Sequence, residues 1–435
     1  MKKYFGTDGI RGVACDFLNE ELAFKVGTSL SSLNLKSVVV GRDTRESGSM
    51  LAQAIISGAK AVGMDTLYLG VVSTPMLSYI SGQLGYVGVM ITASHNPFTD
   101  NGIKVFKAGK KLFENEEAVL EAILNNEVKT PILGEHGCSL PNIDTFKLYK
   151  KLYRSISVKT SMKIGLDLAN GSTYSVGKRI FKKITPNLKV IGDQPDGKNI
   201  NLGVGSTHLE ALTELVKREK LDVGFAFDGD GDRLLAVDYD GTVIDGDLLI
   251  YIIANYLKSK KLLQENTVVL TKMSNLGIIK ALESQGIKTL QTDIGDKYVL
   301  EMLEQKQLTV GGENSGHIIN RYLLNTGDGV LNSVLLVKIM KETKMHLNEL
   351  AKGVELYPDK LVNLKNIDRA VLKDSKVIET VEAVKTELGS LGKVLVRASG
   401  TEPLIRVSIQ AKTNEMVEAA IEKIVTIIKQ QATSI

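Results

Sequence analysis

Short apolar runs alternate with helix-length amphipathic stretches along most of this chain. Residues 36–40 (KSVVV) place three β-branched side chains in a row, which predicts a buried strand. Residues 46–62 (ESGSMLAQAIISGAKAV) carry apolar positions at helical spacing and stop at Gly63, which predicts a helix. Residues 66–70 and 87–92 have the pattern of further strands. The pattern restarts with a strand at 163–168, a helix at 173–183, and strands at 188–191 and 222–227. It restarts again with a helix at 246–258, a strand at 267–271, a helix at 275–285 and a strand at 308–312. Such alternation predicts mixed α/β domains with largely parallel sheets.

The last stretch differs. It predicts a strand at 359–365, a helix at 375–387, a strand-loop-strand over 393–410 and a helix at 414–431, which describes a smaller α+β domain. The expected organisation is three similar mixed α/β domains over 1–155, 156–245 and 246–355, followed by an α+β domain over 356–435. At 435 residues and 43% hydrophobic content, the chain is too long for one core, in keeping with this division.

Charge narrows the partners. Lys and Arg number 54 against 50 Asp and Glu, so a net +4 gives no field suited to nucleic acid or a membrane surface. The cysteines are Cys15 and Cys138, without CxxC spacing, which suits a reducing compartment. The opening MKKYFGTDGIRG has no apolar h-region, and LLIYIIANYL (248–257) is shorter than the roughly 18 residues of a membrane span. These features predict a soluble, cytoplasmic protein, and they leave a monomer and a homodimer both open.

Four segments carry chemistry. ITASHNPFTDNGIKVF (91–106) puts Ser94 beside His95 in a tight turn, with Lys104 on the far side. A small hydroxyl flanked by an imidazole and an ammonium suits nucleophilic attack on phosphate. The turn lacks the G-x-S-x-G elbow of a serine hydrolase. AFDGDGDR (226–233) alternates Asp228, Asp230 and Asp232 with glycines and closes on Arg233. Three carboxylates so close repel one another unless a cation neutralises them, and oxygen ligands suit Mg2+ or Ca2+. An EF-hand is excluded, because Arg233 stands where it needs Gly and Tyr239 where it needs Glu. GGENSGHI (311–318) offers Glu313, Asn314, Ser315 and His317, side chains suited to sugar hydroxyls and proton transfer. VRASGTEPLIRV (396–407) sets Arg397, Ser399, Gly400, Thr401 and Arg406 about a loop suited to an anion. Arg11 in GTDGIRG is a further phosphate-holding candidate. AVDYDGTVI (236–244) resembles the nucleophile loop of haloacid-dehalogenase-type phosphatases, but Tyr239-Asp240-Gly241 is better explained as a hairpin turn.

Taken together and in this order, the segments closely resemble the signatures of the α-D-phosphohexomutases, over nearly the whole chain. The strings GKNINLGVGSTH (197–208) and IGDKYV (294–299), and TGDG (326–329), strengthen the likeness towards members acting on amino sugars. Asn314 stands where those members usually have Gln. The resemblance implies four domains around a central cleft. It implies one Mg2+ per chain, held by Asp228, Asp230, Asp232 and an oxygen of phosphorylated Ser94. It further implies that Glu313 and Ser315 hold sugar hydroxyls, and that Arg397, Ser399, Gly400, Thr401 and Arg406 hold a non-reacting phosphate. Arg11, His95, Lys104, Arg233 and His317 become active-site polar residues, with Lys104 and His317 as acid/base candidates. The expected partners are small sugar phosphates. The expected reaction interconverts glucosamine 6-phosphate and glucosamine 1-phosphate through glucosamine 1,6-bisphosphate. The alternatives are the same chemistry on glucose or mannose phosphates, and a silent sugar-phosphate-binding protein.

Overall fold

The computed structural model describes residues 4–6, 8–398 and 404–432. The chain divides into two compact units, Met1–Thr271 with Leu290–Lys352, and Lys272–Thr289 with Gly353–Ile435.

The first unit is built on three sheets. The first runs in the order Phe5–Gly6, Gly9–Val13, Asp100–Lys107, Val87–Ile91, Ser37–Arg42, Asp65–Val71, with Lys110–Lys111 paired to Asp100–Lys107. Its middle is buried on both faces, so Val38, Val39 and Val40 are all fully buried, as the unbroken apolar run requires. Each such side chain contributes about 1.5–3 kcal/mol on burial. Helices Glu20–Ser29 and Gly48–Ala61 cross closely against this sheet's core. A Cβ at Gly27 would lie 2.3 Å from the carbonyl oxygen of Ile55, and one at Gly58 would lie 2.1 Å from that of Phe24. Helix Thr74–Leu84 shows how local sequence sets boundaries. Ser73 accepts a hydrogen bond from the Met76 N–H, Pro75 occupies the first turn, and Gly85 ends the helix at φ 69.

The second sheet runs Val243–Ile244, Leu234–Asp238, Val223–Phe227, Ile164–Asp167, Leu188–Ile191. The third runs Lys288–Thr292, Thr267–Thr271, Val310–Gly312, Ile318–Asn320. These sheets are less uniformly parallel than the alternation of elements predicts. Strand Ser37–Arg42 pairs in parallel with both neighbours, and Ile164–Asp167 does the same. Elsewhere the chain turns straight back on itself. Val87–Ile91 and Asp100–Lys107 are antiparallel, as are Val223–Phe227 and Leu234–Asp238, and Val310–Gly312 and Ile318–Asn320. The intervening loops are too short for the crossover of about a dozen residues that a parallel pair needs.

The second unit carries an antiparallel sheet in the order Asp359–Lys365, Leu404–Ala411, Gly392–Ala398. Helices Ser375–Leu388 and Asn414–Ala432 bury Val377, Val384, Val417, Ile421 and Ile424 in its core. Helix Leu276–Ser284 joins this unit: Asn275 exchanges hydrogen bonds of 2.9 Å with the main chain of Tyr357, and Gln410 accepts from Leu276. No helix among the described residues is long and apolar enough to cross a membrane.

One buried acid in the first unit makes a stability prediction. Asp328 caps helix Gly329–Thr343 through the Leu331 N–H and accepts a hydrogen bond from the buried Tyr149 hydroxyl. Burial pushes its carboxyl up to about 6, against the opposing pull of those hydrogen bonds. Because the folded value lies above the unfolded one, ionisation penalises folding. The penalty is complete above about pH 6 and vanishes below the usual carboxylate range. Asp328→Asn keeps a capping oxygen without the charge. It should be more stable than the parent by about 1–3 kcal/mol at pH 7.5. The difference should shrink steadily as pH falls towards 4, which urea unfolding at several pH values would measure.

Candidate active site

Each of the four chemistry-bearing segments lies between two antiparallel strands that are consecutive in the chain. Residues 92–99 join Val87–Ile91 to Asp100–Lys107, and 228–233 join Val223–Phe227 to Leu234–Asp238. Residues 313–317 join Val310–Gly312 to Ile318–Asn320, and 399–403 join Gly392–Ala398 to Leu404–Ala411. The first three lie in the first unit and converge there.

Ser94 is buried, with φ 53, and its hydroxyl lies 2.5 Å from Asp228 Oδ2. His95 Nδ1 is 3.3 Å from the same hydroxyl. Burial, followed by the charges of Arg233 and Arg11, lowers the His95 imidazole to about 3, so it is neutral at ordinary pH. Gly229 permits the approach of the two loops, since a Cβ there would lie 2.5 Å from the Ser94 carbonyl oxygen.

Asp228, Asp230 and Asp232 are buried and offer ligand oxygens within 4.8 Å of one another. Burial, and then the charges of Asp230 and Asp232, hold the Asp228 carboxyl well above its usual range. Asp230 Oδ1 has no hydrogen-bond partner among the described residues, while Oδ2 accepts from Thr74 at 2.5 Å and Lys104 at 2.8 Å. Lone pairs left open in a buried, electrostatically strained set of oxygens fit a hard divalent cation. The Asp228-Asp230-Asp232 group could hold a metal ion, with Ser94 Oγ beside it.

Charged groups close a ring around that set. Lys104 Nζ lies 3.0 Å from Asp232 and 3.2 Å from Asp8. Burial opposes its charge, but Asp230, Asp232 and Asp8 overcome this and raise the ammonium well above its ordinary value. Lys111 bridges Asp8 and Asp296. Asp296 Oδ2 is 3.3 Å from His317 Nε2, and His317 Nδ1 is 3.6 Å from Asp232 Oδ1. Burial lowers His317, but Asp296 and Asp232 outweigh it and raise the imidazole above its ordinary value. Arg11 pairs with Asp8, and its buried Nε has no hydrogen-bond partner among the described residues. Arg233 donates its N–H to Asp228 Oδ1 at 3.1 Å.

The loop 313–317 is tied to the metal loop through the main chain. Arg233 and His317 form a β-bridge, and the Leu234 N–H donates to Gly316 O at 3.0 Å. Glu313 accepts from the Gly295 N–H at 3.1 Å, and burial raises its carboxyl. Ser315 Oγ is buried without a hydrogen-bond partner among the described residues, and Asn314 is exposed. In the second unit Arg397 and Arg406 stand directly opposite each other on paired strands. Burial, and then Arg406, lowers the Arg397 guanidinium from its ordinary value. Opposed like charges are unfavourable and an anion between them removes the penalty. Ser399, Gly400 and Thr401 lie outside the described residues. The phosphatase-like segment is a hairpin: Gly241 N–H donates to Asp238 O at 2.8 Å, and Asp238 Oδ2 accepts from the Asn348 N–H at 2.8 Å.

Sequence reasoning missed Asp8, Thr74, Lys111 and Asp296, although Asp8 lies in GTDGIRG beside Arg11 and Asp296 in IGDKYV. It also missed Asp43, Arg45 and Asn201, which hold the serine loop from behind. An acid and a base two residues apart at the end of an apolar strand, in GRDTRES, was the available signal.

The described folds and a hydroxyl set on a carboxylate metal group define a phosphoryl-transfer enzyme. Models for phosphoglucomutase/phosphomannomutase α/β/α domains I, II and III match residues 2–131, 145–241 and 245–357. That for the C-terminal domain matches residues 360–427. The chain belongs to this family, the phosphohexomutases, which are isomerases. A phosphoglucosamine mutase from Bacillus cytotoxicus is 44% identical, with 99% of each chain covered. The crystal structure of a phosphoglucomutase/phosphomannomutase family protein from Burkholderia thailandensis superposes with TM-score 0.82 at 22% identity, covering 99% of this chain and 98% of that one. The Aspergillus fumigatus N-acetylphosphoglucosamine mutase, in complex with GlcNAc-6P and magnesium, gives TM-score 0.70 at 17% identity, covering 99% and 96%.

Asp230→Asn removes one charge from the metal group while keeping its shape. Calorimetric titration with Mg2+ should show affinity weakened by more than about tenfold, or about 1.4 kcal/mol. Unchanged affinity would place the ion elsewhere.

Proposed function

We propose that this chain interconverts glucosamine 6-phosphate and glucosamine 1-phosphate, with Ser94 as phosphoryl carrier and glucosamine 1,6-bisphosphate as intermediate and activator. The observation that carries the mechanism is the buried Ser94 hydroxyl at 2.5 Å from Asp228 within the three-carboxylate group. The amino sugar is supported by relatives of matching length that are phosphoglucosamine mutases. A cytoplasmic location is part of the same proposal.

Asp228, Asp230 and Asp232, with an oxygen on Ser94, would hold one Mg2+, which when bound neutralises charge on the transferring group. Ser94 gives its phosphoryl group to the free sugar hydroxyl and takes back the other phosphate after the bisphosphate turns round. Lys104, a buried cation among carboxylates, serves to hold phosphate oxygen rather than to accept a proton. His317, oriented by Asp296 and Asp232, is the acid/base group. Arg11, His95 and Arg233 bound the reacting phosphate. Glu313 and Ser315 take sugar hydroxyls, and Asn314 is assigned to sugar discrimination. Arg397, Ser399, Gly400, Thr401 and Arg406 are assigned to the non-reacting phosphate, whose binding energy orients either end of the sugar.

The test is kcat/KM with Mg2+ on glucosamine, glucose and mannose phosphates in parallel, with Ser94→Ala as control. A preference for glucosamine phosphate of more than about tenfold, lost in Ser94→Ala, is expected. A preference for glucose or mannose phosphate keeps the mechanism and moves the substrate. Unchanged kcat in Ser94→Ala removes Ser94 as carrier. No turnover by bisphosphate-primed enzyme on any sugar leaves a binding protein.

A further inference from the structure

Ser94 sits in the left-handed region, at φ 53, which a residue with a Cβ adopts only when its surroundings impose it. The surroundings here are specific. The Ser94 N–H donates to Thr92 Oγ1 at 2.9 Å, and that hydroxyl donates to Asp43 Oδ2 at 2.7 Å. The Ser94 carbonyl accepts two hydrogen bonds, from Arg45 Nη2 at 3.0 Å and from Asn201 Nδ2 at 2.9 Å. Both main-chain polar groups of this one residue are therefore held by side chains.

Arg45 is fully buried. Its Nε pairs with Asp43 Oδ2 at 2.9 Å. Its remaining nitrogens donate to the carbonyls of Ser94, Asn96, Pro97 and Asp100, so the guanidinium grips the serine loop at four points. Asn201 approaches from the segment 197–208 and also donates to Asn96 O at 3.1 Å. A buried guanidinium with one carboxylate is a poor source of stability compared with apolar packing. Its fork is well suited to fixing several carbonyls in one geometry.

We propose that Asp43, Arg45, Thr92 and Asn201 are positioning residues, a clamp that locks the Ser94 main chain so that its hydroxyl projects onto Asp228. The clamp rests on the assignment of Ser94 as phosphoryl carrier. The hydrogen-bond partners of the Ser94 hydroxyl, which would carry the phosphoryl group, are His95 and Asp228 and none of these four. Their effect passes through the main chain. Loosening them lets Ser94 relax to an ordinary conformation, and its oxygen swings away from the carboxylates. Substrate binding by other loops is left in place.

The test uses the full chain with Asn201→Ala, Thr92→Val, their double variant, and Arg45→Lys, which keeps the charge and loses the fork. Melting temperature, kcat, KM, and the mass of Ser94-phosphorylated protein after incubation with glucosamine 1,6-bisphosphate and Mg2+ are measured for each. The single variants should keep KM within about twofold and lose kcat by about tenfold to 100-fold, the scale of a small misplacement at a reacting centre. The double variant should lose less than the product of the two, because both act on Ser94. Should Arg45→Lys not fold, Asn201→Ala decides alone. Three results overturn the clamp: wild-type kcat in folded Asn201→Ala, a raised KM with kcat intact, or a lowered melting temperature with full activity per folded molecule. Wild-type protein that turns over sugar phosphate without phosphorylation at Ser94 overturns the carrier assignment itself, and the clamp with it. Normal phosphorylation of wild type alongside an indifferent Asn201→Ala removes the clamp only.

Discussion

Three carboxylates buried within reach of one another constrain most of what surrounds them. Asp228, Asp230 and Asp232 repel, and burial removes the water that would screen them. The protein answers with cations and donors from other elements. Lys104 arrives from the interior strand Asp100–Lys107 of the first sheet, Thr74 from a helix start, and His317 from the loop before Ile318–Asn320. The Ser94 hydroxyl occupies the position nearest Asp228. The segments that look separate along the chain are thus one electrostatic unit, with room in its carboxylate group for a cation.

The sheets explain how three distant loops can serve one group. Each loop closes an antiparallel hairpin, so its residues project from a sheet end held by main-chain hydrogen bonds on both sides. A hairpin loop fixed at two ends orders a short polar segment at small entropic cost. The same device carries the opposed Arg397 and Arg406 in the second unit. The parallel strands beneath supply burial, and the hairpins supply geometry.

Much of this was legible in the chain. The strand at 36–40 holds three successive valines because both faces are buried there, and the structure places it at Ser37–Arg42. The aspartate loop announces itself because alternating Asp and Gly has few other physical explanations. Apart from the turn at Tyr239-Asp240-Gly241, the hairpin reversals were not legible, because the alternation of elements does not encode strand direction. The roles of Arg45 and Asn201 were not legible, although Arg45 stands two residues from Asp43 and Asn201 lies within 197–208. Their partners are carbonyl groups of a loop far along the chain, and a carbonyl leaves no mark in a sequence. Asp8 and Asp296 failed for a related reason, since an isolated acid declares no partner until folding brings Lys111 between them.

The bridge between Arg233 and His317, with the Leu234-to-Gly316 hydrogen bond beside it, joins loops 228–233 and 313–317 edge to edge. The two loops cannot drift independently in the course of divergence. A change in the backbone of residues 313–317 is transmitted through these bonds to the residues that follow Asp232. Exchange of a whole third domain between relatives would sever the same seam. Recombination is therefore better tolerated when 228–233 and 313–317 travel together as one inherited block.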